Sequence, residues 1–434
     1  MTDRTIAVDY VARVEGEGAL AVRVRGGSVE SVELNIFEPP RFFEAFLRGR
    51  GYAEAPDITA RICGICPVAY QMSACHALER ALGLRVDGPI RDLRRLLYCG
   101  EWIESHVLHM YLLHAPDFLG YPDAIRLARD RPEVVKRGLR LKQVGNRLME
   151  LVGGREIHPI NVRVGGFYRA PSREELLGFR PQLEEALGWA EETVRFAAAL
   201  SFPEREEEYE FVSLRHPEEY PMNEGEIVST SGLRLPVDRY EDEFQEVQVP
   251  YSTALHSIRR GGGPYLVGPL ARFALNQDRL TPRAGGLARE VGLLGPVRNP
   301  SRSIVVRAIE VVLALEEALR IVDGYRPPPR PFVEPPPISA PAAGCAITEA
   351  PRGMLYHRYR LGADGRIAEA KIVAPTSQNQ GCIERDVRHV VERSLALDDA
   401  ALGDACEKAI RNHDPCISCA THFLRLDVVR RPGP

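Results

Sequence analysis

Two pairs of cysteines, separated by most of the chain, constrain the fold more than any other feature of the sequence. Cys63 and Cys66 lie in the segment Arg-Ile-Cys-Gly-Ile-Cys-Pro, and Cys416 and Cys419 lie in Asp-Pro-Cys-Ile-Ser-Cys-Ala-Thr-His. Nine cysteines in 434 residues would give about 0.2 pairs of this spacing by chance. Four thiolates suit a soft or borderline metal such as zinc, nickel or the iron of an iron–sulfur cluster. The sequence therefore predicts a fold that brings both pairs to one metal centre.

A structural zinc site is the first alternative for these cysteines. In a zinc ribbon the two pairs usually lie within about 20 residues of each other, whereas here most of the chain separates them. A ligand set that assembles only after the whole chain has folded suits a buried reactive centre better than a staple for a small loop. We therefore favour a reactive centre.

The residues around the two pairs favour thiolates. Pro67 and Pro415 are typical of helix starts, and a helix N-terminus lowers the pKa of a nearby thiol. Arg61 precedes the first pair and is a candidate to offset the charge of four thiolates. We expect the remaining cysteines to be core residues with free thiols. They are Cys75, Cys99, Cys345, Cys382 and Cys406.

Composition and charge narrow the class of protein. The chain is 44% hydrophobic and 27% charged, with a net charge of −4, and it lacks the basic block typical of nucleic-acid-binding proteins. No apolar run reaches the ~18 residues of a membrane span, and the first residues do not follow the pattern of a secretory signal. We therefore expect a cytoplasmic protein that neither binds nucleic acid nor inserts into a membrane.

The hydrophobic pattern indicates an α+β fold that is predominantly α-helical, with a central bundle of long helices and peripheral α+β subdomains. The predicted elements are strands over 5–37, a short helix over 41–50, long helices over 90–114, 123–152, 173–202 and 301–323, a proline-rich connector over 326–341, a hairpin of 354–359 with 367–373, and helices over 382–397 and 399–411. A chain of this length exceeds the size at which single cores usually stop growing. Several packed subdomains are therefore expected.

These patterns divide the chain into ranges. The ranges are an N-terminal β-rich segment over 1–60, a helical core with the first cysteine pair over 61–202, a peripheral α+β subdomain over 203–300, a part with a helix, the connector and the second pair over 301–422, and a C-terminal extension over 423–434.

The two cysteine segments together strongly resemble the metal-binding signatures of the large subunit of nickel–iron hydrogenases. Other stretches are also similar to that family, namely Arg13-Val-Glu15-Gly, Pro40-Arg-Phe-Phe-Glu44, Glu349-Ala-Pro351-Arg352-Gly353 and Pro375-Thr376. The resemblance covers nearly the whole chain. It implies the large-subunit fold, which is related to the quinone-site subunit of respiratory complex I, and the reaction H2 ⇌ 2H⁺ + 2e⁻.

The resemblance implies a nickel–iron centre held by all four cysteines. Cys63 and Cys416 would be terminal nickel ligands, and Cys66 and Cys419 would bridge nickel to an iron that carries carbon monoxide and cyanide. Cys416 would accept the proton released from dihydrogen, and Glu15 would relay it outward. A buried glutamate whose pKa is raised by desolvation is suited to that step.

The same resemblance gives roles to residues around the centre. Arg352 would overhang the open metal position, where its permanent charge polarises dihydrogen and balances the anionic cluster. Pro351 and Thr376 would lie beside the cyanide ligands.

A separate magnesium or iron ion is implied near the C-terminus. Its protein ligands would be Glu44, His422 and the backbone carbonyl at Gln380, and oxygen ligands suit a hard cation. In the family, an endopeptidase cuts after the histidine at this position once nickel is in place. Residues 423–434 would therefore be a removable extension.

Two departures and two absences indicate the branch and its partners. Tyr70 stands where many members have a histidine, and Ser105 stands where some members have an acid. The Tyr70 version resembles the cytoplasmic branch of NAD(P)-linked and sulfhydrogenase-like enzymes. The sequence contains neither a glycine-rich dinucleotide fingerprint nor another cysteine cluster for electron transfer. We therefore expect an iron–sulfur small subunit, together with iron–sulfur and flavin subunits that reach NAD(P).

Two other interpretations stay open at this point. One is a quinone-reducing subunit like that of complex I, which has a similar fold but lacks the cysteine pairs. The other is a non-catalytic zinc or iron–sulfur scaffold, which metal analysis would separate from a nickel–iron enzyme.

Overall fold

The computed structural model describes residues 3–421 of the chain. Its α-helices are α1 (Phe43–Leu47), α2 (Ala55–Thr59), α3 (Pro67–Ala81), α4 (Gly88–Leu108), α5 (Ala115–Leu119), α6 (Ala124–Asp130), α7 (Pro132–Gly153), α8 (Arg173–Ala198), α9 (Tyr240–Glu243), α10 (Pro269–Asn276), α11 (Pro282–Glu290), α12 (Ser303–Gly324), α13 (Pro375–Arg393), α14 (Asp399–Arg411) and α15 (Ile417–Ala420). A π-helix spans His109–His114, and 3-10 helices span Tyr52–Glu54, Ala60–Ile62, Val237–Arg239, Gln277–Arg279 and Pro300–Arg302. Among the described residues, no helix combines the length and the apolar character needed to cross a lipid bilayer.

The strands form small antiparallel sheets. They are β1 (Arg4–Val8), β2 (Gly18–Arg25), β3 (Ser28–Ile36), β4 (Val162–Arg163), β5 (Gly166–Phe167), β6 (Val212–Arg215), β7 (Glu226–Ser229), β8 (Arg234–Leu235), β9 (Phe244–Gln248), β10 (Leu255–Arg259), β11 (Ala342–Ala350), β12 (Gly353–Leu361) and β13 (Ile367–Val373). The strand orders are β1-β2-β3, β4-β5, β6-β7-β8, β10-β9 and β11-β12-β13. Helices outnumber strands in the described part of the chain, so the predicted α+β class with predominant helix is confirmed.

Long helices form the centre of the molecule, as predicted. α12 is apolar on nearly every face and is buried along most of its length, which is the pattern of a helix surrounded by other elements. It packs against α4 and α8, and α7 packs against both of these helices. α3 lies against β11 and β12. The first cysteine pair therefore begins a helix that is embedded in the main core.

Two glycines allow α4 and α7 to approach closely. A Cβ atom on Gly145 of α7 would lie 2.7 Å from the carbonyl oxygen of Gly100 on α4 and 2.7 Å from the backbone nitrogen of Glu104. Any side chain at this position would push the helices apart, because close-packed interiors leave no room for an added methyl group. The crossing fixes α4 behind the first cysteine pair.

The N-terminal sheet brings a distant loop to the second cysteine pair. Alternate residues of β2 are buried, as expected for a strand with one face on a core. This face packs against apolar residues of α13 and α14, including Ile383 and Ile410. The loop between β1 and β2 then reaches the last turns of the described chain, where Glu15 forms a parallel backbone bridge with Cys416.

Prolines interrupt two of the helices that the sequence predicts as continuous. The helix predicted over 90–114 is α-helical only to Leu108 and then becomes the π-helix, because Pro116 cannot donate the hydrogen bond that would continue the α-helical ladder. The helix predicted over 123–152 breaks before Pro132, since the residue before a proline is disfavoured in helical conformation. Both breaks were predictable from the sequence.

The last third of the chain largely follows the prediction. The hairpin is β12 with β13, and the connector over 326–341 forms neither helix nor strand. The helix predicted over 382–397 is wrong at both ends, because α13 begins at Pro375 and ends at Arg393. The proposed division of the chain into ranges stays a prediction, and the extension over 423–434 lies outside the described residues.

Candidate metal centre

Two short turns present the four cysteines of the predicted centre. The 3-10 helix Ala60–Ile62 ends at Cys63, and Cys66 is the residue that caps the start of α3. Cys416 has the equivalent position before α15, which is a single turn. The expectation of a helix start is therefore confirmed at the first pair, and at the second pair it reduces to one turn.

The fold brings the four thiols together. Their sulfur atoms lie within 4.8 Å of one another, and all four side chains are buried. Cys416 Sγ is 2.7 Å from Cys419 Sγ and 3.5 Å from Cys63 Sγ, while Cys66 Sγ is 3.6 Å from Cys419 Sγ. Such a set can surround a thiolate-binding metal. The other five cysteines are buried free thiols, as expected for core residues.

A carboxylate occupies the helix N-terminus that we expected to favour a thiolate. The backbone N–H groups of Val68 and Ala69 donate to Glu101 of α4 at 2.6 and 3.1 Å. Glu101 is fully buried, and no sequence pattern marks it because the contact joins two separate helices. The Glu101 carboxyl group therefore takes the N–H groups at the start of α3, and burial raises the pKa of this group well above its ordinary value.

The anionic form is favoured at Cys63 instead. Hydrogen bonds from the Cys416 and Cys419 thiols lower the pKa of Cys63 well below its ordinary value. The backbone N–H groups of Ile65 and Cys66 also donate to Cys63 Sγ, at 3.3 and 3.4 Å. Burial has the opposite effect at Cys416 and raises its pKa. The pKa of Cys63 is thus lowered, whereas the pKa values of Cys66, Cys416 and Cys419 are raised.

Glu15 contacts the second pair through both its backbone and its side chain. Its carbonyl accepts the N–H of Ile417 at 2.9 Å. Its Oε2 accepts from Cys416 Sγ at 3.0 Å and from the N–H of Ser418 at 3.1 Å. Burial and the charge of Cys63 raise the pKa of Glu15. The structure thus places the Glu15 carboxyl group within hydrogen-bonding distance of Cys416, and its role as a proton acceptor stays a prediction.

A glycine makes this contact possible. Gly16 has a φ of +88°, and a Cβ atom there would lie 2.7 Å from Cβ of Ile417 and 2.9 Å from the backbone nitrogen of Ser418. A larger residue would be strained in this conformation and would displace the turn that carries the second pair.

Arg352 is buried at the turn between β11 and β12, and it is held by Asp414. Its Nε donates to the Asp414 carbonyl at 2.8 Å, and its Nη2 lies 3.1 Å from Asp414 Oδ1. Although burial disfavours the charge, Asp414 and Cys416 raise the pKa of Arg352 well above its ordinary value. Its Nη1 has no hydrogen-bond partner among residues 3–421. A buried cationic donor is therefore available beside the sulfurs.

The cation that the sequence suggested as a counter-charge is not at the centre. Arg61 is exposed on the surface, so its assignment to this role is wrong. Arg352 supplies the nearby positive charge, and Asp414, which holds it, lies in the second cysteine segment itself. That segment was the signal that could have identified Asp414.

Thr376 and Pro351 lie next to the residues that frame the centre. The Thr376 hydroxyl, in the first turn of α13, accepts the N–H of Cys416 at 2.9 Å. Its hydroxyl hydrogen therefore remains available for donation. Pro351 directly precedes Arg352, and the Pro351 carbonyl accepts from Arg272 at 2.9 Å.

The residues predicted to hold a second cation are only partly described. Glu44 is half-buried in α1, and it accepts the N–H of Ile372 through Oε1 at 2.7 Å. Gln380 is fully buried in α13, and neither atom of its side-chain amide has a hydrogen-bond partner within residues 3–421. His422 lies outside the described residues. The second cation site therefore stays a prediction.

Comparison with known proteins identifies the family of the chain. The family model described as nickel-dependent hydrogenase matches residues 41–135 and 305–422, which include both cysteine pairs. The sulfhydrogenase 1 subunit alpha of Pyrococcus furiosus is 34% identical over 97% of this chain and 98% of that protein. The chain belongs to the nickel-dependent hydrogenase family.

Further comparisons agree with this membership. The NAD-reducing hydrogenase HoxS subunit beta of Cupriavidus necator is 28% identical over 97% of this chain and 95% of that protein. A crystal structure of an NAD⁺-reducing nickel–iron hydrogenase in the H2-reduced state matches with a TM-score of 0.86 and 29% identity, covering 96% of this chain and 99% of that chain.

A nickel–iron–selenium hydrogenase from Desulfovibrio vulgaris Hildenborough has a TM-score of 0.78 at 24% identity, which supports the fold.

The family model and the more similar relatives identify the protein as a hydrogenase large subunit, an oxidoreductase that acts on dihydrogen. The four-thiol site of a nickel-dependent family supports nickel and iron at this centre. These findings favour the hydrogenase interpretation over both the quinone-reducing subunit and the non-catalytic scaffold.

Proposed function

We propose that this chain is the catalytic subunit of a cytoplasmic hydrogenase complex that exchanges electrons with NAD(P) through partner subunits. The observation that carries the proposal is the convergence of four buried sulfur atoms within 4.8 Å. The NAD-linked part rests on similarity to relatives that are named NAD-reducing. A sulfhydrogenase is also among the relatives, so sulfur reduction is a second candidate activity for the same complex.

The four cysteines would hold the metals in two roles. Cys63 and Cys416 would bind nickel terminally, and Cys66 and Cys419 would bridge to an iron that carries carbon monoxide and cyanide. The residues present fit this centre, because the donor set consists of four buried thiols and a buried guanidinium nitrogen beside them has no partner among residues 3–421. When bound, the centre would supply two-electron exchange with dihydrogen.

Cys416 and Glu15 would move the proton. Cys416 Sγ would take the proton released from dihydrogen and pass it to Glu15 Oε2, over the 3.0 Å that separates the two atoms. The raised pKa of Glu15 favours a carboxyl group that accepts a proton more readily than an exposed glutamate does. The N–H of Ser418 keeps this carboxylate in place between transfers.

Arg352 would fix the charge at the open side of the centre. Its contacts with Asp414 hold the guanidinium plane, which leaves Nη1 free of protein partners within the described chain and able to polarise dihydrogen. Thr376 and the amide of Arg352 after Pro351 would donate to the cyanide ligands. Each of these groups is buried, where a hydrogen bond or charge acts more strongly than in water.

Further partners complete the proposal. An iron–sulfur small subunit would receive electrons, and iron–sulfur and flavin subunits would carry them to NAD(P). Glu44, His422 and the Gln380 carbonyl would bind a magnesium or iron ion. A maturation endopeptidase would remove residues 423–434 after His422.

The test is reduction of NAD⁺ and of NADP⁺ under dihydrogen by the complex purified from its own host. We expect one of the two to be reduced at a rate that depends on dihydrogen, and sulfide release from polysulfide would favour the second activity. If a viologen dye is reduced but neither nucleotide is, the NAD(P) part of the proposal is wrong.

A further inference from the structure

Arg41 contacts both cysteine loops, of which the first carries Cys63 and Cys66 and the second carries Cys416 and Cys419. Its Nη2 donates to the carbonyl oxygen of Ile62, the residue before Cys63, at 2.7 Å. The same nitrogen donates to the carbonyl oxygen of Ser418, which lies between Cys416 and Cys419. A single guanidinium group thereby joins the two backbone segments that carry the four thiols.

Neighbouring groups hold the Arg41 side chain in this position. Its guanidinium carbon lies 5.4 Å from the ring centroid of Phe43, and its Nε lies 3.9 Å from Glu38 Oε1. Glu38 also accepts a hydrogen bond from the Ser418 hydroxyl at 2.9 Å. The Arg41 side chain is 32% exposed, so it bridges the loops at the edge of the centre.

The backbone of Arg41 holds the end of the described chain. Its N–H donates to the carbonyl oxygen of Thr421 at 2.7 Å. The Thr421 hydroxyl donates to the Ser418 carbonyl at 3.2 Å, the same oxygen that Arg41 contacts. Thr421 precedes His422, after which the proposed maturation cut falls. Arg41 therefore touches the first loop, the second loop and the segment before the cut.

We propose that Arg41 is a positioning residue that couples closure of the two cysteine loops to processing of the C-terminal extension. This inference rests on the proposed function. With both loops in place, the guanidinium spans both carbonyls and the backbone N–H fixes Thr421. Displacement of the first loop removes the Ile62 contact of the guanidinium, and displacement of the second removes its Ser418 contact. Either change loosens the hold on Arg41, whose backbone N–H places Thr421. The endopeptidase would thus meet a correctly placed cleavage segment only on precursors whose loops are closed.

The variant Arg41→Lys tests the bridge in the full-length chain, expressed in its own host with its partner subunits. Lysine keeps the positive charge, but its nitrogen stands one bond nearer the backbone than Arg41 Nη2, the nitrogen that donates to both carbonyls, so it falls short of holding both. Nickel per polypeptide is measured by elemental analysis, and loss of residues 423–434 is measured by mass spectrometry. Because supporting residues around metal ligands typically contribute 10- to 100-fold to affinity, we expect about a tenfold fall in both quantities.

The matched control is Arg48→Lys, the same substitution at an exposed arginine of the same segment. It should keep wild-type nickel content and processing. Wild-type nickel and complete processing in Arg41→Lys would overturn the inference, as would a lower unfolding temperature that leaves both quantities unchanged. Absence of nickel from the wild-type complex would instead overturn the proposed function.

A chain that ends at His422 separates the two halves of the inference, because it needs no cut. In this background we expect Arg41→Lys to keep about tenfold less nickel than the matching wild-type chain, since the loops still lack their bridge. Full recovery of nickel would mean that Arg41 acts only at the cleavage step, and it would overturn the proposed coupling.

Discussion

The two cysteine loops differ in what holds them. The first pair begins α3, a helix of 15 residues packed in the main core, and Glu101 completes its N-terminus. The second pair follows α14 in a stretch with a single helical turn, and it depends on contacts with remote segments through Glu15, Thr376 and Arg352. The first loop can form with its own helix, whereas the second exists only after the chain has folded around it. Residues that contact the second loop from distant parts of the sequence should therefore control the chemistry. Residues that contact the first loop should control the stability of the fold.

The largest expected effect is at Glu15, on the side of the second loop. Glu15→Gln keeps an acceptor for the N–H of Ser418 but cannot take a proton from Cys416. We expect the rate of dihydrogen oxidation to fall by about 10²- to 10⁴-fold, which is the usual contribution of a proton-transfer group, while nickel content is unchanged.

The control for this experiment is Glu17→Gln, which alters an exposed glutamate two positions away in the sequence. It should leave the rate as in the wild type. A wild-type rate in Glu15→Gln would show that the proton leaves the centre by another route.

An intermediate effect is expected at Glu101, on the side of the first loop. Glu101→Gln replaces the oxygen that accepts from the Ala69 N–H at 3.1 Å by an NH2 group, and it leaves this N–H only the longer 3.3 Å contact with the remaining oxygen. A buried unsatisfied donor costs about 1–3 kcal/mol in free energy of unfolding. Chemical denaturation of the complex should show this loss, while activity per bound nickel stays at the wild-type value. A loss of activity per nickel as large as that of Glu15→Gln would remove the distinction between the loops.

The smallest expected effect is a pH dependence of stability that involves Glu104 of α4. Burial raises the pKa of Glu104 from 4.5 to about 7, against the opposing charge of Lys142. The folded protein therefore holds this proton more tightly than the unfolded chain, so the contribution of Glu104 to stability is complete below pH 4.5 and is lost as the pH rises through about 7.

Thermal unfolding across this range measures the effect. As the pH rises towards 7, the unfolding temperature of the wild type should fall relative to that of Glu104→Gln. A difference that is constant over the whole range would contradict the raised pKa.

The sequence predicted what is local, and it missed what depends on contacts between distant segments. Pro67 and the apolar spacing after it identify α3, and the paired cysteines identify the centre. Arg41 and Glu101 could not be found in this way, because their partners are backbone groups of other elements, and nothing in the spacing of residues shows which carbonyl or N–H lies opposite. Arg61 illustrates the converse error. It is adjacent to the first pair in sequence but points to solvent, since side chains near a turn are directed by its backbone geometry.

The roles of Glu15 and Arg352 came from the family resemblance, and the fold explains why they require it. Each lies on a segment with no sequence relation to Cys416, and they meet only because β1–β3 pack on α13 and α14 and because the β11–β12 turn faces Asp414. The π-helix and the break between α6 and α7 are local features that the sequence contains and that the helix prediction misses, since Pro116 and Pro132 mark them.

Metal analysis together with an infrared spectrum of the complex purified from its own host tests the identity of the centre. We expect nickel and iron in the large subunit, together with carbonyl and cyanide bands, because the four sulfur atoms would hold a nickel–iron centre. Zinc alone at the four cysteines, without those bands, would mean that the cysteines have a structural role.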